Sequence, residues 1–129
     1  MGASLENEAR RCWAEGPPPL SDRERDYQRY VLTDLLDDLR GCADPAERVY
    51  LVSRMLRRAS ERVLLVGGHW LGGGKWLSRR LAAADPRVHR ALSEAAAQAI
   101  AGDAKVFAAV VAEDGGVFCS WCTMHDIGC

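Results

Sequence analysis

A glycine-rich segment with basic and aromatic side chains is the first place in this sequence where chemistry is expected. Between Gly67 and Trp76 five of ten residues are glycine, accompanied by one histidine, two tryptophans and one lysine. Glycine permits backbone angles and close approaches that a Cβ forbids, so such a loop can bring these side chains around a ligand. A predicted helix follows, and its first N–H groups favour a phosphate or a carboxylate. We therefore take Trp70, Lys75, Trp76 and Arg79 as candidate substrate-binding residues.

This loop does not match the common nucleotide-binding patterns. His69 stands where the P-loop has its first glycine, and Trp76 stands where the magnesium-binding Ser or Thr belongs. The G-x-G-x-x-G pattern is also missed. For the tryptophans we favour another role, in which Trp70 and Trp76 fill the end of a helical bundle while the glycines turn the chain.

Three aspartates and a tyrosine on one predicted helix form a second candidate site. Tyr30, Asp34, Asp37 and Asp38 lie within reach of one another at helical spacing. Crowded carboxylates suit a general base or a clamp for a cationic amine, with Asp34 and Asp38 as the candidate bases. The competing interpretation is an exposed acidic edge that pairs with arginines of the next helix.

The net charge of −1 conceals an asymmetry along the chain. Residues 1–44 carry ten Asp and Glu against six Arg, whereas residues 45–90 carry ten Lys and Arg against three acids. The second segment is basic enough to attract phosphates. We favour a simpler interpretation, a solvated helix face that complements the acidic first helix.

The elements that position these residues are predicted to be helices. Ser21 to Glu24 form a capping box, and Asp44-Pro45 sets an N-cap before a first-position proline. Helices are predicted over residues 22–40, 45–66, 75–84, 85–101 and 102–113, with a further short one near 5–15. The first is expected to bury Tyr27, Val31, Leu32, Leu35, Leu36 and Leu39, and the second Val49, Val52, Leu56, Ala59, Val63 and Val66. The apolar run before the glycines could also be a buried strand, but its three-four spacing favours helix.

The chain is therefore predicted to be all-α, an antiparallel helical bundle of about five or six helices. We divide it into an N-terminal segment with a Pro-rich linker over 1–20, a bundle domain over 21–114 and a cysteine-containing tail over 115–129. Its length can bury a core without metal or disulfides. No apolar stretch is long enough to span a bilayer, and the first residues do not form a signal peptide. We expect a cytoplasmic protein with neither a membrane nor a nucleic-acid partner.

Two blocks of sequence carry a resemblance to a known family. They are residues 29–39, RYVLTDLLDDL, and residues 70–81, WLGGGKWLSRRL, followed by Asp85-Pro86. Together they resemble the helical C-terminal half of bacterial nucleotidyltransferase-domain proteins, in the polymerase-beta-like superfamily that includes aminoglycoside nucleotidyltransferases. The similarity covers roughly residues 26–113.

The resemblance implies a substrate-side or dimerisation domain that has no catalysis of its own. In that family the catalytic half carries a Gly-Ser turn and paired aspartates for magnesium, and this sequence has neither a Gly-Ser dipeptide nor a D-x-D pair. No cofactor is expected for the chain alone, and Mg²⁺ with a nucleoside triphosphate is expected if a catalytic domain or partner completes it. Asp34 and Asp38 would then face an amine-rich small-molecule acceptor, and Lys75 and Arg79 the phosphates. A homodimer is the other expected assembly.

Two weaker patterns complete the set of alternatives. Arg62 and His69 match the loose R-x(4-6)-H spacing of HEPN ribonucleases, to whose helical bundles the chain is also similar, although Val63 replaces the usual polar residue. A plain helical interaction module is the third class. In the tail, metal ligation is suggested by Cys119, Cys122, His125 and Cys129. Their spacing is shorter than a zinc knuckle's, so no metal is expected; a truncated or frame-shifted terminus would also produce this composition.

Overall fold

The computed structural model describes residues 15–112, and all regular secondary structure in that range is helical. In chain order the helices are α1 (Asp22–Arg40), α2 (Pro45–Val66), α3 (Lys75–Ala84), α4 (Pro86–Ala101) and α5 (Lys105–Ala112). The predicted all-α helical bundle is therefore confirmed, with five helices in the described range. The short helix expected near residues 5–15 lies almost wholly outside it.

The helix ends form where local sequence signals place them. The Glu24 N–H donates to Ser21 Oγ (3.1 Å), and the Ala46 N–H donates to Asp44 Oδ1 (2.9 Å), so both predicted caps are formed. Capping side chains satisfy N–H groups that have no partner within the helix. Between α3 and α4 stands a single residue, Asp85, whose carboxylate accepts from the Val88 N–H (3.1 Å).

Helix α2 is the centre of the bundle, because it packs against α1, α3 and α4, while α5 closes the structure against α1 and α4. The core is built from these buried side chains: Leu32, Leu35, Leu36, Leu39, Val52, Met55, Val63, Leu64, Leu81, Val88, Leu92, Ala95, Ala96, Ala99, Phe107 and Val111. Three alanines of α4 leave room for its neighbours to approach closely. None of the helices in the described range is long and apolar enough to cross a membrane.

Two predicted core positions are wrong. Tyr27 is 60% exposed and Val49 is 40% exposed, although each continues an apolar stripe of its helix. Both lie in the first two turns of their helices, where α1 and α2 have fewer neighbours than in their middle. In α2 the buried face includes Met55 and Leu64, which the predicted stripe omits, because a helix packed on three sides buries more than one stripe.

Candidate functional site

The aspartates of α1 form an exposed face. Tyr30, Asp34, Asp37 and Asp38 all reach solvent. Asp37 makes an ion pair of 3.8 Å with Arg40, one turn further along the same helix, and both side chains are more than half exposed. The interpretation as an acidic edge expected ion pairs between α1 and the arginines of α2. This ion pair instead lies within α1.

An acidic hollow of about 520 Å³ lies where α1 ends and α2 begins. It is lined by Asp38, Gly41, Cys42, Glu47, Tyr50 and Leu51. The turn between the helices is held by the Gly41 N–H, which donates to the Asp37 carbonyl oxygen, and by the Cys42 thiol, which donates to the Asp44 carbonyl oxygen. The hollow thus gathers two carboxylates and the ring of Tyr50, which is 79% exposed, and no basic side chain lines it. Of the four predicted residues on α1, only Asp38 belongs to it.

The glycine loop between α2 and α3 depends on glycine at several positions, among them Gly72 and Gly74. Gly74, which precedes α3, has φ 55° and ψ −127°, a conformation that residues with a Cβ avoid. A Cβ added to Gly72 would lie 2.9 Å from Arg80 Nε and 3.0 Å from Trp76 Cβ, closer than packed atoms tolerate. The loop then enters α3 through two tight turns, in which the Trp76 and Leu77 N–H groups donate to the carbonyl oxygens of Gly73 and Gly74.

The aromatic and basic residues beyond this loop form a cluster on the surface. Trp76 is 53% exposed, so its indole does not fill the end of the bundle as we had favoured, whereas Trp70 is half-buried. Lys75 Nζ lies 5.8 Å and Arg79 Cζ lies 4.9 Å from the centroid of the Trp76 ring, within the range of cation–π attraction. Both cations therefore lie close to one exposed indole.

A glycine-loop cleft of about 420 Å³ opens between the loop and helices α2, α3 and α4. It is lined by Ser53, Leu56, Arg57, Ser60, Gly72, Gly73, Gly74, Leu77, Ser78, Leu81, His89 and Ser93. Its polar residues are four serines, one arginine and one histidine, above an apolar floor of leucines. The cleft has the dimensions of a small-molecule site.

A hydrogen bond crosses this cleft from α3 to α4. Ser78 Oγ and His89 Nε2 are 2.8 Å apart. The Asp85 corner produces the juxtaposition, since it caps α4 and its carbonyl oxygen accepts from the His89 N–H (3.0 Å). His89 is thereby placed at the start of α4, opposite the first turns of α3.

The arginine and histidine of the ribonuclease hypothesis lie in contrasting environments. Arg62 is 3% exposed within α2, whereas His69 is exposed in the glycine loop, where its ring packs beside Gly67. Neither residue lines the acidic hollow or the glycine-loop cleft. Nothing in this placement favours the ribonuclease hypothesis, which stays a prediction.

One further set of candidate residues concerns metal binding. The tail residues Cys119, Cys122, His125 and Cys129 lie outside the described residues. Within 15–112, no three His, Cys, Asp or Glu side chains converge in a way that could hold a metal ion.

Several residues of the two hollows were missed from the sequence. Glu47 and Tyr50 lie just after a predicted helix start and belong to no sequence pattern that indicates a site. Ser60, Ser78 and His89 carry no local pattern, because a serine and a histidine eleven residues apart meet only when two helices fold onto each other. The proline after Asp85 was the one available signal, since it announces the corner that brings α3 and α4 together.

The described part of the chain is an all-helical bundle in which one hollow is lined by carboxylates and another by serines, an arginine and a histidine. No protein-family model, no curated protein and no solved structure matches this chain. What the two hollows bind must be inferred from their own residues.

Proposed function

We propose that this chain is the substrate-side helical domain of a nucleotidyltransferase and that its acidic hollow receives an amine-bearing acceptor. The observation that carries the proposal is the composition of that hollow, in which Asp38, Glu47 and Tyr50 line one space without a basic side chain. The resemblance of residues 29–39 and 70–81 to nucleotidyltransferase helical domains supplies the reaction class. Asp38 belongs to the first of these two blocks.

The chemistry of the hollow suits an ammonium group. Carboxylates accept charge-assisted hydrogen bonds from it, and the face of a tyrosine ring attracts it through the ring quadrupole. Asp38 comes from the last turn of α1 and Glu47 from the first turn of α2, so a ligand with two amines can contact both helices. Two amines on a rigid ring therefore match this site better than a single one.

Contacts of this kind are individually weak. Exposed ion pairs contribute about 0–1 kcal/mol each, because water and salt compete for both partners. An acceptor held only by this hollow is expected to bind with a Kd near the millimolar range, equivalent to about 4 kcal/mol. A catalytic half that covers the open side would strengthen the contacts by excluding water.

The catalytic half is the part that this chain does not supply. In the proposal it brings the nucleoside triphosphate and Mg²⁺, because this sequence has neither the Gly-Ser dipeptide nor the D-x-D pair that the family uses to hold them. The role of Asp38 and Glu47 is to bind and orient the acceptor. Transfer of the nucleotide takes place on groups of the other half.

The experiment is a titration of the full chain with an aminoglycoside such as kanamycin, followed by amide chemical shifts at pH 7 and low salt. We expect saturable shifts around Gly41 and Tyr50, and affinity reduced several-fold by Asp38→Asn and by Glu47→Gln. Asp34→Asn is the matched control, because Asp34 is an exposed aspartate of the same helix outside the hollow.

Two results would contradict the proposal. One is the absence of saturable binding. The other is an equal loss of affinity in Asp34→Asn and Asp38→Asn, which would indicate general attraction of a cation to an acidic helix. Spermine serves as a flexible polyamine control, and it should bind more weakly than the rigid aminoglycoside because its ordering costs more entropy.

A further inference from the structure

We infer that the glycine-loop cleft is a binding site for a single phosphate group, either inorganic phosphate or the phosphate of a small monoester. This inference does not rest on the proposed function, because it uses no residue of the acidic hollow. It rests on Ser60, on the backbone of the glycine loop, on Ser78 with His89, and on Arg57.

Ser60 is the first observation that points to a ligand. Ser60 is only 4% exposed, and it lines the cleft. Its hydroxyl has no hydrogen-bond partner among the described residues. Ser60 Oγ is not one of the fully buried atoms that lack a partner in the described part of the chain, so it reaches the space of the cleft and can pair with a molecule there. A ligand oxygen in the cleft would satisfy it.

The glycine loop brings backbone donors beside the same cleft, which Gly72, Gly73 and Gly74 line. Within residues 15–112, the N–H groups of Gly72, Gly73, Gly74 and Lys75 donate to no acceptor. Gly74 precedes α3 without a side-chain cap, so the positive end of this ten-residue helix is left uncovered beside the cleft. Uncapped N–H groups and the helix dipole favour an anion there.

Ser78 and His89 supply a directed donor on the opposite wall. When His89 Nε2–H donates to Ser78 Oγ, the Ser78 hydroxyl hydrogen is free to point at a ligand oxygen. In the reverse arrangement Ser78 would be a nucleophile with His89 as its base, but that role needs a group that orients the other ring nitrogen. Among the described residues His89 Nδ1 has no such hydrogen bond, so the pair fits binding better than nucleophilic catalysis.

Arg57 gives the cleft its only permanent charge. The Arg57 Nε–H donates to Glu61 Oε1 (3.1 Å), which orients the guanidinium, and Glu61 is not a lining residue. No carboxylate lines the cleft. One arginine, already paired with Glu61, and neutral donors suit a single phosphate group better than a triphosphate, which carries more negative charge. The volume of about 420 Å³ leaves space for a small organic group beside the phosphate.

The test is a titration of the full chain with inorganic phosphate at constant ionic strength, followed by amide shifts of the glycine loop. Glucose 6-phosphate, AMP and ATP are titrated in parallel, with chloride as the control anion. We expect saturable binding of phosphate and of the monoesters, with weaker binding of ATP.

The variants are paired so that charge and folding are controlled. Arg57→Gln should lower the affinity for phosphate several-fold, because the Arg57 side chain is 73% exposed, whereas Arg54→Gln, an exposed arginine of α2 outside the cleft, should change it less than twofold. His89→Gln should weaken binding. His69→Gln is its control and should not, because His69 lies in the glycine loop but does not line the cleft. Ser60→Ala should lower affinity several-fold while leaving the melting temperature nearly unchanged, because the Ser60 hydroxyl makes no hydrogen bond to another described residue.

Four outcomes would overturn the inference. They are no saturation by any phosphate, wild-type affinity in both Ser60→Ala and Arg57→Gln, an equal loss in Arg54→Gln and Arg57→Gln, and ATP binding that is tighter than monoester binding. None of them touches the proposed function, whose titration uses an aminoglycoside and the Asp38 and Glu47 variants.

Discussion

The acidic hollow and the glycine-loop cleft differ in how their side chains are held. The acidic hollow is built from exposed side chains at a helix-to-helix turn, and water reaches its carboxylates freely. The cleft also has exposed polar side chains, but it adds a leucine floor, the buried residue Ser60 and a loop in which Gly74 has a backbone conformation that only glycine adopts readily. Electrostatic interactions strengthen as water is excluded, so equal changes should have larger effects in the cleft.

Helix α2 contributes side chains to both hollows, and it places groups of opposite charge at two separate positions along its length. Its first turns carry Glu47 and Tyr50 to the acidic hollow, and its middle carries Arg57 and Ser60 to the cleft. The charge asymmetry of the sequence is thus repeated along a single element. An amine and a phosphate would be held at separate places on the same rigid helix.

The largest effect is expected when the floor of the cleft is removed. Leu81 is 2% exposed, and Leu81→Ala should lower the free energy of unfolding by about 2–5 kcal/mol, since it leaves a cavity in the core. Leu51→Ala, at a half-buried position of the acidic hollow, should cost about 1 kcal/mol. Urea unfolding followed by circular dichroism measures both values. Equal costs would show that the two hollows do not differ in rigidity.

A smaller effect is expected from the strained glycine before α3. Gly74→Ala should destabilise the protein by about 1–3 kcal/mol, because φ 55° with ψ −127° is unfavourable for alanine. Gly73→Ala is the control, since a Cβ there meets no atom within 4 Å and its φ does not require glycine. Thermal melts compare the two variants. Matching melting temperatures would mean that the loop adapts freely and that the cleft is not preorganised.

The smallest effect is expected on the acidic face outside the hollow. Asp37→Asn removes the exposed ion pair with Arg40, and the change in unfolding free energy should stay within about 0.5 kcal/mol. Aminoglycoside affinity should also stay close to that of the wild-type protein. A marked loss in either measurement would extend the functional surface along α1 and remove the distinction between Asp38 and its neighbours.

Much of the helical framework could be predicted because its signals are local. Ser21, Asp44 and the Asp85-Pro86 pair each specify a helix start within four residues of sequence. The predicted role of Trp76 failed for the opposite reason. Whether a large side chain at a helix start is buried depends on which helix stands in front of it, and periodicity within one helix carries no such information.

The candidate sites were predicted only where their residues are neighbours in sequence. The aspartates of α1 and the cluster around Lys75 are local sets, and the sequence displays them directly. Glu47 joins Asp38, and Ser60 joins Ser78 and His89, only across helix contacts. These combinations have no sequence pattern, because the distances along the chain are set by helix lengths and turn geometry.

The sequence alone predicts that the chain is helical, where α1 to α4 lie, and that acidic and basic residues are separated along it. Caps, apolar spacing and charge order act within one or two helical turns, so they can be recognised without the fold. Only the tertiary structure decided that Tyr27 and Trp76 face solvent, that Ser60 is buried in a wall, and that Ser78 meets His89. Burial and contact between helices depend on the packing of several elements at once, and that packing is a property of the whole bundle.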